Sequence, residues 1–263
     1  MSGPRGRDAA ALEALADGDI ELRGRVMPAS NATFVGEVGD LEVVYKPVRG
    51  ERPLWDFPDH TLANREVAAY ALSAATGWDV VPPTILRGGP HGTGMVQRWQ
   101  TTDPDQAAVD LVPDGEVPEG MLHVLDGLDA DDRAISLVHE DTPALRRIAV
   151  LDVVLNNADR KGGHVLEMPD GHRYGVDHGL SFHVEPKLRT VLWGWAGEPL
   201  LPDEHEVLEA LARDLDGGLG ETLEDLLAMD EVEATRRRCR ALLAAGRLPL
   251  PRGDGPVIPW PPF

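Results

Sequence analysis

Two tight turns in the first fifty residues constrain this chain more than any other feature. Pro28-Ala29-Ser30-Asn31-Ala32 separates Ile20–Met27 from Thr33–Val38, and Gly39-Asp40 separates the latter from Leu41–Lys46. Each flanking segment has strand length, and turns this short return a strand beside its predecessor. The reading is three antiparallel strands across residues 20–48. A turn-rich linker, Arg49–Pro58, leads to an alanine-rich helix over Thr61–Thr76 that Gly77 is placed to end. Val80–Leu86 and Gly94–Trp99 read as two more strands. The first hundred residues thus predict a small antiparallel sheet carrying one helix.

The character then changes. Residues 103–119 are polar and proline-containing and read as a linker between lobes. Thr142-Pro143 is an N-cap followed by a first-turn proline, opening a helix through Leu145, Ile148, Leu151 and Leu155. Residues 203–245 are helical in pattern, acidic up to Glu233 and then basic at Arg236-Arg237-Arg238. The last stretch, Pro249–Phe263, is proline-rich and predicts an extended or disordered surface tail. The division that follows is an extension over 1–19, a first lobe over 20–102, a second over 103–247 and a tail over 248–263.

Charge narrows the partners. The 263 residues carry 45 acidic and 25 basic side chains, a formal net charge of −20, which disfavours nucleic acid and an anionic membrane surface. No apolar stretch approaches the roughly 20 residues a membrane span needs, and the first residues lack the apolar core of a secretory leader. A cytoplasmic protein is the expectation. One cysteine, Cys239, excludes an intramolecular disulfide framework and a multi-cysteine zinc site. Only three of the basic residues are lysines, Lys46, Lys161 and Lys187. Where lysine persists against an arginine bias, a compact ammonium can be what the position needs.

The chemistry concentrates in residues 156–183. Asp159 and Asp177 flank a segment that reads as a β-hairpin with Pro169-Asp170-Gly171 at its tip. A hairpin brings its ends together, so both carboxylates would face one site, one accepting a proton and the other holding a metal. Upstream, Lys46 ends a strand and Glu66 lies in the following helix, where the two can pair. Such a lysine would touch nucleotide phosphates, with the turn at 28–32 supplying backbone N–H groups. For each residue a plainer reading stays open: turn chemistry for the aspartates, Ser30 and Asn31, a solvated helix face for Glu66, and helix packing for Cys239.

The order of these features is that of kinases: loop, strand lysine, helix glutamate, linker, catalytic aspartate, metal aspartate. Asn157-Ala158-Asp159-Arg160 and Val176-Asp177-His178-Gly179-Leu180-Ser181-Phe182 resemble the phosphatidylinositol 3-/4-kinase superfamily, and within it the type II phosphatidylinositol 4-kinases. The whole chain also resembles an actinobacterial kinase-like family. The resemblance implies an α+β, protein-kinase-like two-lobed fold, with a small antiparallel sheet lobe carrying one helix and a larger, mainly helical lobe. It implies Asp159 and Arg160 as catalytic residues, and Ser30, Asn31, Lys46, Glu66, Gln97, Arg98 and Trp99 around the nucleotide. It implies Asp177 as metal ligand, ATP and Mg²⁺ as cofactors, and a hydroxyl acceptor, which the charge makes a protein or small molecule in preference to a lipid.

One departure matters. Five residues after the catalytic aspartate those kinases carry a metal-binding asparagine, and here the position is His164. Imidazole nitrogen suits Mn²⁺ better than Mg²⁺. Gly162-Gly163 predict a loop more flexible than a catalytic loop should be. Two alternatives therefore stand beside a phosphotransferase. One is a nucleotide-binding pseudokinase. The other is a metal-dependent hydrolase built on Asp159, His164, Asp177, His178 and His183.

Overall fold

A computed structural model describes residues 4–27, 31–252 and 255–263. Its first sheet has five antiparallel strands: β1 (Ile20–Arg25), β2 (Phe34–Val38), β3 (Leu41–Pro47), β4 (Thr84–Gly89) and β5 (Gly92–Arg98), in the order β1-β2-β3-β5-β4. The Gly39-Asp40 turn sets the register Phe34↔Tyr45 of β2 and β3, and β1 pairs with β2 at Ile20↔Val38. Strand alternation then divides β3 between two faces. Val43 and Tyr45 are fully buried and cluster with Ile20, Val38, Val96 and Leu15. Leu15 belongs to α1 (Pro4–Ala16), so the N-terminal extension is a helix covering that face. Arg87 closes the end of α1 by donating to the Leu15 and Gly18 carbonyl oxygens at 2.6 and 2.7 Å. Lys46, one residue on, points to the opposite face, toward α2 (Leu62–Thr76).

Helix α2 begins on a borrowed cap. Glu51 accepts from the Leu62 and Ala63 amides at 3.1 and 2.8 Å, satisfying two of the free N–H groups at the helix start. Gly77 ends the helix in the left-handed region, φ 70°. The fourth strand starts four residues later than its sequence suggests. The Val80 and Val81 amides go instead to Ser73 Oγ, both at 3.0 Å, and Pro82-Pro83 cannot donate to a ladder.

The second lobe is less purely helical than expected. Besides α3 (Pro143–Leu155), α4 (Pro202–Leu215), α5 (Gly218–Glu224) and α6 (Met229–Ala245) it holds a three-stranded sheet. Its strands are β6 (Val109–Pro113), β7 (Met121–Leu128) and β8 (Ala134–Glu140), in the order β6-β8-β7. The segment read as a linker therefore contributes β6. β6, which ends on Pro113, and β7, none of whose residues is buried, lack the apolar alternation that betrays a strand. The central strand β8 is the exception, with Ser136, Leu137, Val138 and His139 all buried.

Thr142 caps α3 as its sequence predicts, accepting from the Leu145 amide at 3.3 Å. The apolar face of α3 packs with α2 and the three C-terminal helices around Leu151, Val232 and Trp195. The predicted hairpin is present as β9 (Val165–Glu167) and β10 (Arg173–Gly175), tipped by Gly171 at φ 84°. The arrangement is thus α+β and two-lobed, with the antiparallel sheet and α2 facing the lobe of helices. No helix among the described residues is long and apolar enough to cross a membrane.

Residues 257–262 of the tail are anchored on the second lobe. Val257 O accepts from the Thr190 amide at 3.1 Å and from Trp193 Nε1 at 2.9 Å, and Pro259 is buried. Pro262 O accepts from the Gly162 amide at 2.8 Å.

Candidate functional site

Three elements deliver charge to one point between the lobes. Lys46 Nζ, from β3, donates to Glu66 Oε1 of α2 at 2.7 Å and to Asp177 Oδ1 at 3.0 Å. Glu66 is 2 % exposed, and its second oxygen accepts the His178 amide at 2.8 Å. One buried carboxylate thus fixes both the lysine and the backbone beside Asp177. Asp177 sits in the left-handed region, φ 59°, a conformation aspartate tolerates better than most side chains. Its carboxylate stays half-exposed, facing the cleft.

The charges respond to one another. Beside the Lys46 ammonium, which outweighs burial, the Asp177 carboxyl is held well below the usual carboxylate range. Burial alone would drive Lys46 toward its neutral form. Asp177 and Glu66 more than reverse this and hold its pKa above the ordinary value. Burial pushes Glu66 up, against the opposing pull of Lys46. The lysine is firmly a cation and Asp177 firmly an anion.

Asp159 follows α3 on a loop that a buried network holds rigid. Arg160, fully buried, grips Asp152 of α3 through Nε and Nη2 at 2.8 and 2.9 Å. Its Nη1 donates to the carbonyl oxygens of His164 and Val176, both at 3.0 Å. Those two carbonyls flank the β9–β10 hairpin, so one guanidinium ties together the loops bearing Asp159 and Asp177. Gly175 gives that guanidinium room, since a Cβ there would stand 3.0 Å from Arg160 Nη2. Asn157 completes the network, donating to Asp152 Oδ1 at 2.9 Å and accepting the Asp159 amide at 3.0 Å. Arg160, expected among the catalytic residues, has no exposed atom to offer a substrate and acts here by positioning the loop.

The Asp159 carboxylate is more sheltered than that of Asp177. Burial raises its pKa to about 6, against the opposing charge of Lys161. His164 donates Nδ1–H to the Asp159 carbonyl oxygen at 2.9 Å, which fixes the tautomer. Burial lowers its pKa to about 4, so the ring is neutral near pH 7. The lone pair on Nε2 lies 3.6 Å from Asp177 Oδ2. Asp177 and His164 thus present an oxygen and a nitrogen donor side by side, and among the described residues no group of three His, Cys, Asp or Glu forms a fuller metal site. That donor pair fits a divalent ion whose other ligands come from phosphates and water.

The remaining expectations separate. Gln97 is buried, with Nε2 donating to Thr84 Oγ1 at 2.8 Å, so its side chain is committed to the sheet. Arg98 ends β5 and the exposed Trp99 follows it, Trp99 N donating to Glu42 O at 2.9 Å. Asn31 Oδ1 accepts the Arg52 amide at 2.8 Å, which ties the turn to the chain after β3. Ser30 lies outside the described residues. The five-residue metal cluster does not assemble. His178 is fully buried with Nε2 accepting from Arg160 at 2.8 Å, and His183 packs edge-on against Phe57. The Gly162-Gly163 loop is likewise not slack. It forms a 3₁₀ turn, Gly162–His164, and the Phe263 ring occupies the space a Gly162 side chain would need.

Asp152 and Phe263 were not anticipated, and Asn157 entered only as part of the motif around Asp159. Asp152 carried a usable signal, being an acid on the otherwise apolar face of α3, where it requires a cationic partner. Phe263 carried none.

No protein-family model matches the chain. The crystal structure of the Helicobacter pylori proinflammatory kinase CtkA is similar at a TM-score of 0.42 and 12% identity, over 86% of this chain and 96% of its own. Protein Rv2133c of Mycobacterium tuberculosis (strain ATCC 25618 / H37Rv) is 50% identical over 262 residues, spanning 95% of this chain and 94% of that protein. The chain belongs to the same family as Rv2133c.

Proposed function

We propose that the protein is an ATP-dependent phosphotransferase of phosphatidylinositol 3-/4-kinase-like type, passing the γ-phosphate to a hydroxyl of a small-molecule or protein acceptor. One observation carries the reading. Lys46 is held by Glu66 and Asp177 together, a cation fixed between the lobes beside an ionised carboxylate. Structural ion pairs are usually exposed and worth little. In this one Glu66 is buried and Lys46 mostly so, while Asp177 opens into the cleft, as electrostatic stabilisation of a transferring phosphoryl group requires.

In this reading Lys46 contacts the nucleotide phosphates, and Glu66 sets its position. Asp159 accepts a hydrogen bond from the acceptor hydroxyl. A carboxylate with a pKa of about 6 is still mostly ionised at pH 7 while being a better base than an ordinary aspartate. Asp177 and His164 Nε2 would hold a divalent ion, which neutralises phosphate charge when bound. The nitrogen ligand favours Mn²⁺ over Mg²⁺. Arg160 and Asn157 keep the two aspartates in one frame.

The test is thermal unfolding with ATP plus Mg²⁺ or Mn²⁺, for the wild type and Asp177→Asn, followed by phosphate release with Asp159→Asn. Binding to the native state alone stabilises by about 2.7 kcal/mol at a hundredfold excess over Kd. A metal-dependent rise lost in Asp177→Asn supports the site, and slower turnover in Asp159→Asn with ATP binding retained supports the transfer. No rise with either metal overturns the reading. Nucleotide binding without turnover under either metal leaves the pseudokinase.

A further inference from the structure

A second site stands apart from the cleft. Between the segment after Asp177, the C-terminal half of α6 and the start of the tail lies a cavity of about 980 Å³. Among the described residues, six of the chain's 25 basic side chains line it, Lys187, Arg189, Arg237, Arg238, Arg247 and Arg252, against a single acid, Glu185. With the +5 of this lining removed from a total of −20, the rest of the molecule carries −25. Chance does not readily gather so much positive charge in so acidic a chain.

The cations are also poorly neutralised. Lys187 pairs with Asp56 at 2.9 Å, but the five arginines have no carboxylate within ion-pairing distance among the described residues. Arg238 donates only to neutral groups, the Val154 and His183 carbonyl oxygens and Thr235 Oγ1, at 2.9, 3.1 and 2.8 Å. Burial, then the neighbouring Arg237, lowers its pKa to about 10, and the charge of Glu231, already paired with Arg65, only partly offsets this. Arg247 reaches only the Gly197 carbonyl oxygen, at 3.5 Å.

The other walls are apolar. Val153, Leu242 and Leu248 line the cavity with Trp193, and Leu250 leaves 57 % of its surface exposed there. Volumes of about 300–1,000 Å³ with apolar walls and a few placed polar groups are those of small-molecule sites. An extended polyanion or an anionic bilayer would also meet the −25 outside, whereas a compact ligand meets only the cavity.

We propose that this cavity binds a small amphipathic anion: a phosphate or carboxylate held by Arg237, Arg238 and Arg247, with an apolar or aromatic body against Trp193 and Leu250. Arg189 joins it to the cleft. Its amide donates to Asn157 O at 2.9 Å and its carbonyl oxygen accepts from the Arg160 amide at 3.0 Å, so a bound anion rests against the loop that carries Asp159. The binding itself does not depend on phosphoryl transfer.

Titration calorimetry of the full chain with phenyl phosphate tests this, with benzyl alcohol as the neutral counterpart and pyrophosphate as the purely ionic one. Saturable one-to-one binding of phenyl phosphate is expected, weakened by added salt and at least roughly tenfold weaker in Arg237→Glu/Arg247→Glu. Both side chains are exposed, so the fold should tolerate the change; Arg237→Gln/Arg247→Gln is the milder variant should melting show otherwise. Equal affinity for benzyl alcohol, affinity unchanged in the variants, or no saturation by phenyl phosphate would overturn the proposal. So would binding to phosphatidylserine vesicles with none to phenyl phosphate, which would point to a lipid surface.

Discussion

The pair Asp152–Arg160 offers the most demanding test of how the site is held. Asp152 is 1 % exposed and Arg160 fully buried, and two hydrogen bonds of 2.8 and 2.9 Å join them. Replacing Asp152 with asparagine keeps the shape, opens no cavity and leaves one uncompensated guanidinium in the core. Removing one partner of a buried pair costs about 3–5 kcal/mol. For a chain of this length each kcal/mol lowers Tm by roughly 2–4 °C, so Asp152→Asn should melt about 10 °C lower. Arg160→Met should lose a similar amount, since it strands the aspartate with only the Asn157 amide as donor. In the double variant neither charge remains to be paired. What is left is the loss of donors to the His164 and Val176 carbonyl oxygens and to His178 Nε2, about 1–3 kcal/mol each at most, a loss that Arg160→Met alone already carries. Urea unfolding of all four proteins therefore predicts a double variant no less stable than the worse single one, a coupling of about 2 kcal/mol or more. If the two losses simply add, Arg160 is not working through Asp152, and the picture of one guanidinium tying both loops to α3 is wrong.

Three further outcomes follow from other parts of the molecule. Gly162→Ala should destabilise by about 1–3 kcal/mol through overlap with the Phe263 ring, and deleting residues 261–263 should remove most of that penalty; equal losses in both backgrounds, measured by urea unfolding, would contradict the packing. His164→Asn replaces a nitrogen donor with an oxygen donor, so the ATP-dependent rise in Tm should shift from favouring Mn²⁺ to favouring Mg²⁺, and an unchanged order would remove His164 from the metal. His139 is fully buried, donating Nδ1–H to the Glu140 carbonyl oxygen at 2.9 Å and accepting the Gly194 amide at Nε2 at the same distance, and burial lowers its pKa below the ordinary 6.5. The unfolded chain therefore binds this proton more readily than the native one, so its contribution is intact above pH 6.5 and is lost as pH falls below it. His139→Gln should flatten the decline of stability below that pH by about 1.4 kcal/mol per pH unit; an unaltered slope would refute the assignment.

What the sequence disclosed was governed by distance along the chain. The Gly39-Asp40 turn, the Thr142 cap, the Gly77 stop and the hairpin tipped by Gly171 act over a few residues, and each stands where its residue type places it. The approach of Lys46 to Asp177, 131 positions apart, has no local signature. It was reachable only because the order of motifs resembled that of kinases. The three-stranded sheet of the second lobe escaped because β6 and β7 are largely exposed, so their sequences carry no alternation to detect. Gly162-Gly163 misled for the opposite reason. Glycine signals either freedom or a crowded neighbour, and the neighbour here is the last residue of the chain.

The same geometry explains why residues expected to act on a substrate divide into two kinds. Asp159, Asp177 and Lys46 keep part of their charge toward the cleft, while the groups that position them, Asn157 for the Asp159 amide and Glu66 for Lys46 and the amide after Asp177, are buried. Glu66 holds Lys46 from α2 and also binds the His178 amide, so a displacement of α2 would release the lysine and the Asp177 backbone together. Arg65, one position earlier on α2, binds the second lobe through Glu231 at 2.5 Å and the Ser181 carbonyl oxygen at 2.6 Å. The helix that sets the lysine is thereby fixed to the lobe that carries the aspartates. Charge spacing across the cleft rests on two adjacent residues of one helix, Glu66 binding Lys46 of the first lobe and Arg65 binding Glu231 of the second.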